Sequence, residues 1–431
     1  MTPTPPPAVT TDVVIVGAGP AGAAAAITLA QAGRSAIVVD KATFPRDKFC
    51  GDGLTSGALR LLEGFGVVPD DVPSWMPVED VYIQSPSGHR AHFPLPKGRG
   101  QYAAITTRLD LDNALVTRAR AAGADIRDGH SCIAVTLRDD HVLVEAEGIG
   151  TIKADFLIAA DGMWSTTRKL IGLRVPDYRG DWHAFRQYWT GVGPRAAREL
   201  HVWFEADVLP GYVWSFPLPN GQANIGFGIH RDTHAVGDMK QYWPSILDRP
   251  HIREIIGDDA EPTGPHRAWP IPARLGSMPL TAARTMFVGD AAAACDPMTG
   301  EGIAQALETG ALAATCVIDG GTEAARANPS QVTRRYEDEL HRALETDLRF
   351  AAWLGQMLRS AAGARSAVRI ASLTQWTSEN FARWLFEDYP RALLGTPHRW
   401  RRDMFSQPGS YLARSPTSAG LRSSAGRRHP A

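Results

Sequence analysis

Three glycines, Gly17, Gly19 and Gly22, have the spacing of a turn that binds phosphate. The β-branched run at 13–16 before them predicts a buried strand, and the alanine-rich segment after them predicts a helix. In such a turn, glycine permits a tight bend and a close approach of the backbone to a pyrophosphate. The N-terminus of the following helix presents amide donors to the anion. These residues therefore predict a nucleotide-binding turn.

An acidic residue follows the glycines at the distance that a ribose requires. Asp40 ends a second predicted strand at 35–39, about twenty residues beyond the turn, where a carboxylate accepts a hydrogen bond from a ribose hydroxyl. Strand, turn, helix, strand and acid together predict a βαβ unit for a dinucleotide. Four neighbouring residues are assigned to the same cofactor: Pro20, Ala21, Lys41 and Arg46. The unit alone leaves NAD and FAD open.

Two later segments each place an acid after a predicted strand. Asp161 follows the apolar run at 154–160, and Asp290 follows Gly289 ahead of a second glycine turn and a helix. The segments resemble the Asp-Gly and Gly-Asp fingerprints of the flavoprotein monooxygenase and reductase superfamily, whose members bind FAD. The resemblance favours FAD over NAD.

The same resemblance implies roles for individual residues. Asp290 would hold the ribityl chain, and the helix that opens at Gly300, Gly302 and Ile303 would direct its amides at the flavin ring. A helix N-terminus stabilises the negative charge that reduced flavin carries there. Arg108, before a predicted helix, matches the arginine that the superfamily has near the cofactor.

Tyr212, Trp214 and Phe216 lie at alternate positions, so one face of a predicted strand carries all three rings. A type I turn with Pro219 second and Gly221 in the left-handed position is expected to follow them. A two-residue Asn-Gly turn would instead place proline where the ladder needs an N–H.

This turn sets the register of the hairpin. Trp214 is expected opposite Gly226, and Tyr212 opposite Gly228. Each ring would then face a glycine, which has no side chain to fill the space beside it. The gap would form an apolar slot for a substrate. Ordinary core packing of the rings is an equally good interpretation of the pattern alone.

Two segments resemble signatures of the geranylgeranyl reductase family. The run YVWSFP at 212–217, with the glycines that follow, matches the Y-x-W-x-F-P…G-x-G pattern that helps shape the family's prenyl pocket. FPRDKFCGDGLT at 44–55 resembles its second signature, which implies that Cys50 lies near the flavin. The resemblance runs from residue 11 to 315 and looks closest to bacterial menaquinone side-chain reductases. Ser56 and Gly57 stand where many relatives carry Pro-Arg.

The family resemblance implies an FAD-dependent reductase that saturates isolated double bonds of a geranylgeranyl or menaquinone-type chain by hydride transfer from reduced flavin. Such an alkene also needs a proton on the neighbouring carbon, and Cys50 is the predicted proton donor or positioning group. The predicted substrate contacts are Gly51, Asp52, Tyr212, Trp214, Phe216, Gly226 and Gly228. No second GxGxxG unit marks a bound nicotinamide, so the electron donor is left open between NAD(P)H and ferredoxin.

Other functions stay open at this point. An FAD-dependent monooxygenase that hydroxylates an aromatic or apolar small molecule shares the acid fingerprints, but it does not predict the Cys50 segment. A halogenase is disfavoured, because Tyr212 and Phe216 replace the first Trp and the Ile of the halogenase motif W-x-W-x-I-P. A flavin-binding protein without turnover is the alternative outside the enzymes.

The composition sets further limits. A chain of 431 residues suits more than one domain, and its net charge of -1 argues against a nucleic-acid partner. Four widely spaced cysteines without a ligand pattern predict a reducing compartment, no disulfide and no metal site. The proline-rich N-terminus lacks the features of a secretory signal. We therefore predict a cytoplasmic protein.

The predicted fold is α/β, or α+β overall. It consists of a discontinuous Rossmann-type FAD-binding domain, an inserted antiparallel β-sheet domain for the substrate and a helical C-terminal extension. The FAD-binding domain is predicted at 11–80, 102–175 and 270–330, the substrate domain at 81–101 and 176–269, and the extension at 331–405. Disorder is predicted for a leader at 1–10 and a tail at 406–431.

The last part of the extension mixes Trp, Leu and Phe with arginine. Its basic residues include Arg391, Arg399, Arg401 and Arg402. This composition is typical of a segment that contacts anionic lipid, here at the inner face of the membrane, where a prenylated lipid substrate would reside. A helical cap on the FAD-binding domain is the other interpretation. A redox protein that delivers electrons is a further predicted partner.

Overall fold

The computed structural model describes residues 8–233, 239–321, 328–401, 404 and 408–412. Its strands are β1 Val9–Val16, β2 Ala36–Asp40, β3 Gly53–Leu54, β4 Met76–Pro77, β5 Asp80–Gln84, β6 Arg90–Pro94, β7 Ala104–Ile105, β8 Asp125–Asp128, β9 Cys132–Leu137, β10 Val142–Ala146, β11 Gly150–Ala159, β12 Trp182–Thr190, β13 Leu200–Trp203, β14 Tyr212–Leu218, β15 Gln222–His230, β16 Glu261–Pro262, β17 Arg267–Ile271, β18 Thr281–Ala282 and β19 Thr285–Phe287. Its α-helices are α1 Pro20–Gln31, α2 Ser56–Phe65, α3 Arg108–Ala121, α4 Thr166–Leu170, α5 Met239–Leu247, α6 Pro250–Ile256, α7 Ile303–Gly320, α8 Pro329–Leu340, α9 Thr346–Met357, α10 Ala361–Ala371 and α11 Gln375–Leu385.

A mostly parallel sheet has the strand order β18-β19-β11-β1-β2-β8. Strand β1 pairs in parallel with β2 and β11, and β11 pairs in parallel with β19. The carboxyl ends of these four strands therefore meet at one edge of the sheet, where α/β proteins bind nucleotides. This edge brings the glycine turn together with Asp40, Asp161 and Asp290, although these residues come from distant parts of the chain.

Helices α1 and α7 pack closely beside this sheet because both carry small residues. A Cβ on Gly310 of α7 would lie 2.0 Å from the carbonyl oxygen of Ala21 in α1, so a larger residue would push the helices apart. Helix α8 packs behind them, and Tyr336 Oη donates a hydrogen bond of 2.6 Å to Phe287 O at the end of β19. The close helix pair holds both glycine loops in fixed positions.

A second sheet has the order β16-β12-β15-β14-β13-β5-β6, with β17 on the outer side of β12. It is antiparallel except where β13 pairs in parallel with β5. The inserted sheet is therefore antiparallel, as predicted, apart from this one pair. Strand β5 comes from a much earlier part of the chain, so the connection between the two strands is long enough to permit parallel pairing.

The register of the hairpin β14–β15 is confirmed. Tyr212 pairs with Gly228, and Trp214 pairs with Gly226. The predicted turn type is wrong, because Asn220 has a φ of 62° in addition to the φ of 67° at Gly221, and a type I turn requires a negative φ at Asn220. Asparagine tolerates the left-handed region, so the Asn-Gly pair makes the bend without changing the register.

The C-terminal helices connect the two sheets. Helix α11 packs on β6 of the second sheet, where the rings of Phe93 and Phe381 lie 4.9 Å apart. Arginines predicted to face lipid are engaged in three ion pairs: Arg391–Asp296 at 3.2 Å, Arg399–Asp347 at 2.6 Å and Arg401–Asp388 at 3.2 Å. Arg402 lies outside the described residues. These arginines attach the segment to the rest of the protein.

Both ends of the described chain are more ordered than predicted. Val9 and Thr10 extend β1, because β11 is long enough to pair with them. Near the C-terminus, Ser410 pairs with Gln101, and Tyr411 Oη donates to Val67 O at 2.9 Å. The prediction of disorder is wrong for 8–10 and for 408–412, because contacts distant in sequence fix them; residues 1–7, 406–407 and 413–431 lie outside the described residues. Among the described helices, none is both long enough and apolar enough to cross a bilayer.

Candidate flavin site

The glycine turn is shaped by close backbone contacts. Gly17 has a φ of 102°, and a Cβ there would lie 2.4 Å from Ala160 O. Ala18 N donates a hydrogen bond of 2.7 Å to Asp40 Oδ2, which fixes the turn against the end of β2. Gly19 faces open space, since the atom nearest to a Cβ on that residue would be Arg46 Nη2, at 3.8 Å. The turn is therefore tight on one side and open to a ligand on the other.

The N-terminus of α1 opens on this space. No side chain in the described part of the protein caps it, so the first amide groups of the helix are available to an anion. The cavity beside the turn, which we call the glycine-turn cavity, is lined by these predicted cofactor residues: Gly17, Gly19, Asp40, Lys41, Arg46 and Asp161. Lys48 and Trp269 line it as well.

A second cavity, the central cavity, adjoins the first at Lys48 and Trp269. Its walls are mostly apolar with a few charged groups, as is usual in cofactor and ligand sites. The predicted cofactor residues that line it are Pro20, Arg108, Asp290, Gly300, Gly302 and Ile303. The predicted catalytic and substrate residues that line it are Cys50, Gly51, Asp52, Tyr212, Trp214, Phe216 and Gly228.

Four predicted site residues line neither cavity. Ala21, Gly22 and Gly289 lie behind the turn, where a Cβ on Gly22 would be 1.8 Å from Gly17 O and one on Gly289 would be 3.2 Å from Ala21 Cβ. Gly226 lies beneath the indole of Trp214, whose Cζ2 would be 2.4 Å from a Cβ at that position. The ring fills the predicted slot there, so the glycine makes room for Trp214 and not for a ligand.

The charged residues of the site are held by specific partners. Arg108 Nε and Nη2 donate to the two carboxylate oxygens of Asp112 at 2.7 and 2.8 Å, and Arg46 Nη1 donates to Asp112 Oδ2 at 2.7 Å. Lys48 Nζ lies 3.3 Å from Asp290 Oδ2. Burial alone would raise the pKa of Asp290, but Lys48 and Arg108 lower it. The carboxylate therefore stays ionised at neutral pH.

Asp161 has a structural role in addition to its place in the glycine-turn cavity. Its carboxylate accepts hydrogen bonds from Ser165 Oγ at 2.6 Å and from Thr167 N at 2.7 Å, and so holds the start of α4. Burial raises the pKa of Asp161, against the opposing effect of these bonds. Both oxygens face backbone or hydroxyl donors, as carboxylates at helix N-termini commonly do.

The segment 50–52 is attached to the hairpin through Asn224. Its Nδ2 donates to Cys50 O at 3.0 Å and to Asp52 Oδ2 at 2.8 Å, and its Oδ1 accepts a bond of 3.1 Å from Trp214 Nε1. Tyr188 Oη donates a further bond of 2.7 Å to Asp52 Oδ2. Cys50, Asp52 and the aromatic face of β14 therefore form one connected wall of the central cavity.

Three acidic groups that line the central cavity hold their protons more tightly than usual. Burial raises the pKa of the Cys50 thiol to about 11, although Arg108 opposes the shift. Burial raises the pKa of Asp52 to about 6, against the effect of Arg186. Burial, together with the carboxylates of Glu387 and Asp296, raises the pKa of Glu301 to about 8. Cys50 and Glu301 are thus mostly protonated at neutral pH.

Sequence reasoning missed several residues that the structure brings to the site. Asp112 was recognisable, because it stands four positions after Arg108 in a predicted helix and so faces it. Glu301 stands between two predicted cofactor glycines, and an acid at a cofactor loop is itself a signal. Tyr188 and Asn224 gave no signal, since only the pairing of β12, β14 and β15 brings them to Asp52.

The residues present fit a flavin dinucleotide. The uncapped helix N-terminus and open Gly19 suit a pyrophosphate, Asp40 lies at the end of β2 beside them, and the adjoining central cavity continues past Arg108 to Gly300 and Gly302. FAD bound there would supply a ring able to transfer hydride.

The sequence matches the FAD binding domain family over residues 10–342, so the chain belongs to this family and its cofactor is FAD. It is 34% identical over 352 residues to menaquinone reductase of Mycolicibacterium smegmatis, covering 75% of this chain and 81% of the relative. It is 28% identical to digeranylgeranylglycerophospholipid reductase 1 of Methanopyrus kandleri, covering 80% of this chain and 90% of the relative.

The crystal structure of a geranylgeranyl bacteriochlorophyll reductase-like protein from Thermoplasma acidophilum superposes with a TM-score of 0.76 at 24% identity, covering 90% of this chain and 99% of that protein. The predicted fold class is confirmed.

Proposed function

We propose that this chain is an FAD-dependent reductase that saturates isolated double bonds of a polyprenyl chain. The observation that carries the proposal is an apolar cavity that adjoins the central cavity. The two share the residues Gly53, Tyr212, Phe216, Thr299 and Glu301. An apolar chain could therefore extend from the flavin site into an apolar environment.

The apolar cavity lies between the second sheet and the C-terminal helices. Its helical wall consists of Leu354, Leu358, Ala367, Val368, Phe381, Trp384 and Leu385. Burying apolar surface stabilises binding by about 25 cal/mol per Å², so a prenyl chain gains affinity along the whole cavity without polar contacts. Such a site suits a long hydrocarbon better than a compact aromatic substrate.

The residues of the central cavity fix the position of the chain. Tyr212 and Phe216 lie at the junction of the two cavities, and Tyr212 Oη donates a short hydrogen bond to Thr299 O in the loop before α7. The ring of Tyr212 is thereby tied to the loop that carries Gly300 and Gly302. An alkene without a polar group must be oriented by shape, and these rings provide that shape.

The other functions are less well supported. A hydroxylase would share the fold and the FAD motifs, but the relatives at 34% and 28% identity are named as reductases of menaquinone and of a digeranylgeranyl lipid. A flavin-binding protein without turnover would not need a protonated acid at the junction of the central and apolar cavities. We therefore favour reduction over oxygenation, with Cys50 near the reacting bond.

A split incubation tests the function. Purified protein with FAD is reduced by dithionite and incubated with a panel of prenyl lipids that includes menaquinone, one half anaerobically and one half in air. Mass spectrometry of the anaerobic half should show product heavier by pairs of hydrogen. Product that gains oxygen only in air would identify a monooxygenase, and no product in either half would favour the protein without turnover.

We also propose that the protein contacts a membrane through the outer side of α9–α11. Five apolar residues are exposed there, here called the outer helix face: Trp353, Met357, Ile370, Leu373 and Trp376, of which Trp376 is 71% exposed. The exposed charged residues described between 346 and 385 are all arginines, namely Arg349, Arg365 and Arg369, while Glu379 is half-buried. Exposed tryptophan beside arginine suits an anionic lipid surface. The same helices line the apolar cavity on their inner side. A lipid substrate would therefore have a short path from the membrane into this cavity.

A further inference from the structure

Glu301 lies where the central and apolar cavities meet, and it lines both. Among the described residues that line the apolar cavity, it is the only carboxylic acid. Gly53 stands against it, since a Cβ on that residue would lie 3.2 Å from Glu301 Oε1. The carboxyl group is therefore the acid nearest to the path that an apolar chain would take from one cavity to the other.

The Glu301 carboxyl group differs from the other acids of the site in having no partner. None of the described residues donates a hydrogen bond to it or forms an ion pair with it; only its backbone is engaged, with N donating to Thr299 Oγ1 at 3.3 Å. By contrast, Asp52 accepts two hydrogen bonds and Asp290 pairs with Lys48. An ionised carboxylate without partners in such a place is costly, so Glu301 favours its protonated form.

The groups around Glu301 act in the same direction. The charged and titratable residues that influence or face it are Glu387, Asp296, Asp52, Cys50, Tyr212 and Arg391. Only Arg391 favours the ionised form, and that arginine is already paired with Asp296. The proton on Glu301 is thus retained at neutral pH, with a pKa of about 8.

Glu301 is also a better proton donor than Cys50. A general acid is most effective when its pKa lies near the working pH, because it is then both protonated and able to release the proton. The pKa of Cys50 is about 11, and that of Glu301 is about 8. Both groups carry a proton at pH 7, but the thiol releases it about a thousandfold less readily.

We propose that Glu301 is the catalytic acid that donates a proton to the substrate double bond, an inference that rests on the proposed reductase function. Reduced FAD, when bound, would supply hydride to one carbon of the double bond, and Glu301 would give its carboxyl proton to the other carbon, whose new C–H bond takes the π electrons. The substrate gains two hydrogens, and Glu301 is left as a carboxylate that regains a proton from water. The reductant for the cofactor is a nicotinamide nucleotide or an iron–sulfur protein, and dithionite replaces it in the test.

The test compares FAD-loaded wild type with Glu301→Gln, reduced by dithionite and mixed anaerobically with menaquinone in detergent over a range of pH. Loss of a general acid costs about 10²- to 10⁴-fold, so the single-turnover rate of the variant should fall by at least about a hundredfold. The wild-type rate should decline above about pH 8, and the residual rate of the variant should be independent of pH there. Glu301→Asp, which keeps the acid, should restore part of the rate.

Glu308→Gln is the matched control. Glu308 stands on α7, lines a different, polar cavity and is ion-paired to Arg399 at 3.8 Å. The rate and pH profile of this variant should match those of wild type, because Glu308 lines neither the central nor the apolar cavity. FAD content and urea unfolding of each variant establish that the fold is intact.

A second measurement does not use turnover. Infrared titration of FAD-loaded wild type should show a protonated carboxyl band that disappears near pH 8 and is missing from Glu301→Gln. A variant that reduces menaquinone at the wild-type rate, or that keeps the wild-type decline above pH 8, would overturn the assignment of Glu301. If wild type reduces no lipid of the panel, the reductase function fails instead, and the infrared titration still decides whether Glu301 holds a proton.

Discussion

Arg391 Nε lies 3.2 Å from Asp296 Oδ2, and the two side chains are 3% and 1% exposed. The pair joins the C-terminal segment to the loop before α7, because Asp296 Oδ1 also accepts hydrogen bonds from the amides of Met298 and Thr299. The Asp296 carboxylate therefore holds the C-terminal segment, through Arg391, against the loop that carries part of the candidate flavin site.

Removing the arginine should destabilise the protein strongly. Arg391→Leu would leave the Asp296 carboxylate buried without its counter-ion, which costs about 3–5 kcal/mol of unfolding free energy. Urea unfolding at pH 7 measures this loss. Arg349→Leu, at a side chain that is 81% exposed, is the control and should change stability by less than about 0.5 kcal/mol. An equal effect of the two changes would mean that the buried pair contributes nothing specific.

The hairpin should tolerate alanine at one glycine and not at the other. At Gly226 a Cβ would lie 2.3 Å from Phe185 O and 2.4 Å from Trp214 Cζ2, so Gly226→Ala should cost about 1–3 kcal/mol through displacement of the ring. At Gly228 the nearest atom would be 3.8 Å away, and Gly228→Ala should keep the wild-type stability. Thermal unfolding of both variants checks the contrast, and similar melting temperatures would refute it.

Asp52 should make stability depend on pH. Burial raises its pKa in the folded state to about 6 from 3.8, so the folded protein binds more protons than the unfolded chain in this window. Its contribution to stability is complete below pH 3.8 and is lost as pH rises through about 6, by about 3 kcal/mol.

Asp52→Asn should remove this loss, because the amide resembles the protonated acid. The unfolding free energy of the variant, relative to wild type, is expected to increase by about 2 kcal/mol between pH 4 and pH 7, as measured by urea unfolding. A difference that stays constant over this range would show that folding does not raise the pKa of Asp52.

The outer helix face can be tested with vesicles. Trp353→Ser together with Trp376→Ser should weaken binding to vesicles of anionic phospholipid by roughly tenfold or more, since two exposed rings would no longer enter the interface. Ile133→Ser, at an exposed apolar residue on β9, is the control and should bind as wild type does. Truncation is a poor test, because deleting Arg399 also breaks its pair with Asp347. Unchanged cosedimentation of the double variant would argue against this face.

Cys50 and Glu301 can be separated by their pH profiles. Cys50→Ala should lower the rate of alkene reduction without loss of bound FAD, because Cys50 lines the central cavity and its carbonyl is fixed by Asn224. The decline of the rate above about pH 8 should remain in this variant if Glu301 is the acid. A rate equal to that of wild type would remove Cys50 from the mechanism.

The sequence by itself determined the parts of the site that are contiguous. The glycine turn, Asp40 and the alternation of Tyr212, Trp214 and Phe216 are local patterns, because a strand, a tight turn and a helix start impose fixed spacings on the chain. Even the register of the hairpin followed from the position of Pro219, since a missing N–H restricts the pairing.

Only the tertiary structure decided which of these residues line a cavity and which pack behind its walls. Gly226 was predicted to border a slot, yet the ring of Trp214 fills that space, and ring orientation depends on neighbours from β12. The C-terminal segment has the composition of a lipid contact, yet Arg391 and Arg399 pair with acids that are 95 and 52 positions away. Glu301 became notable only when packing left it half-buried without a partner. Burial, partners and pKa depend on contacts between distant segments, and a linear pattern of residue types does not contain those contacts.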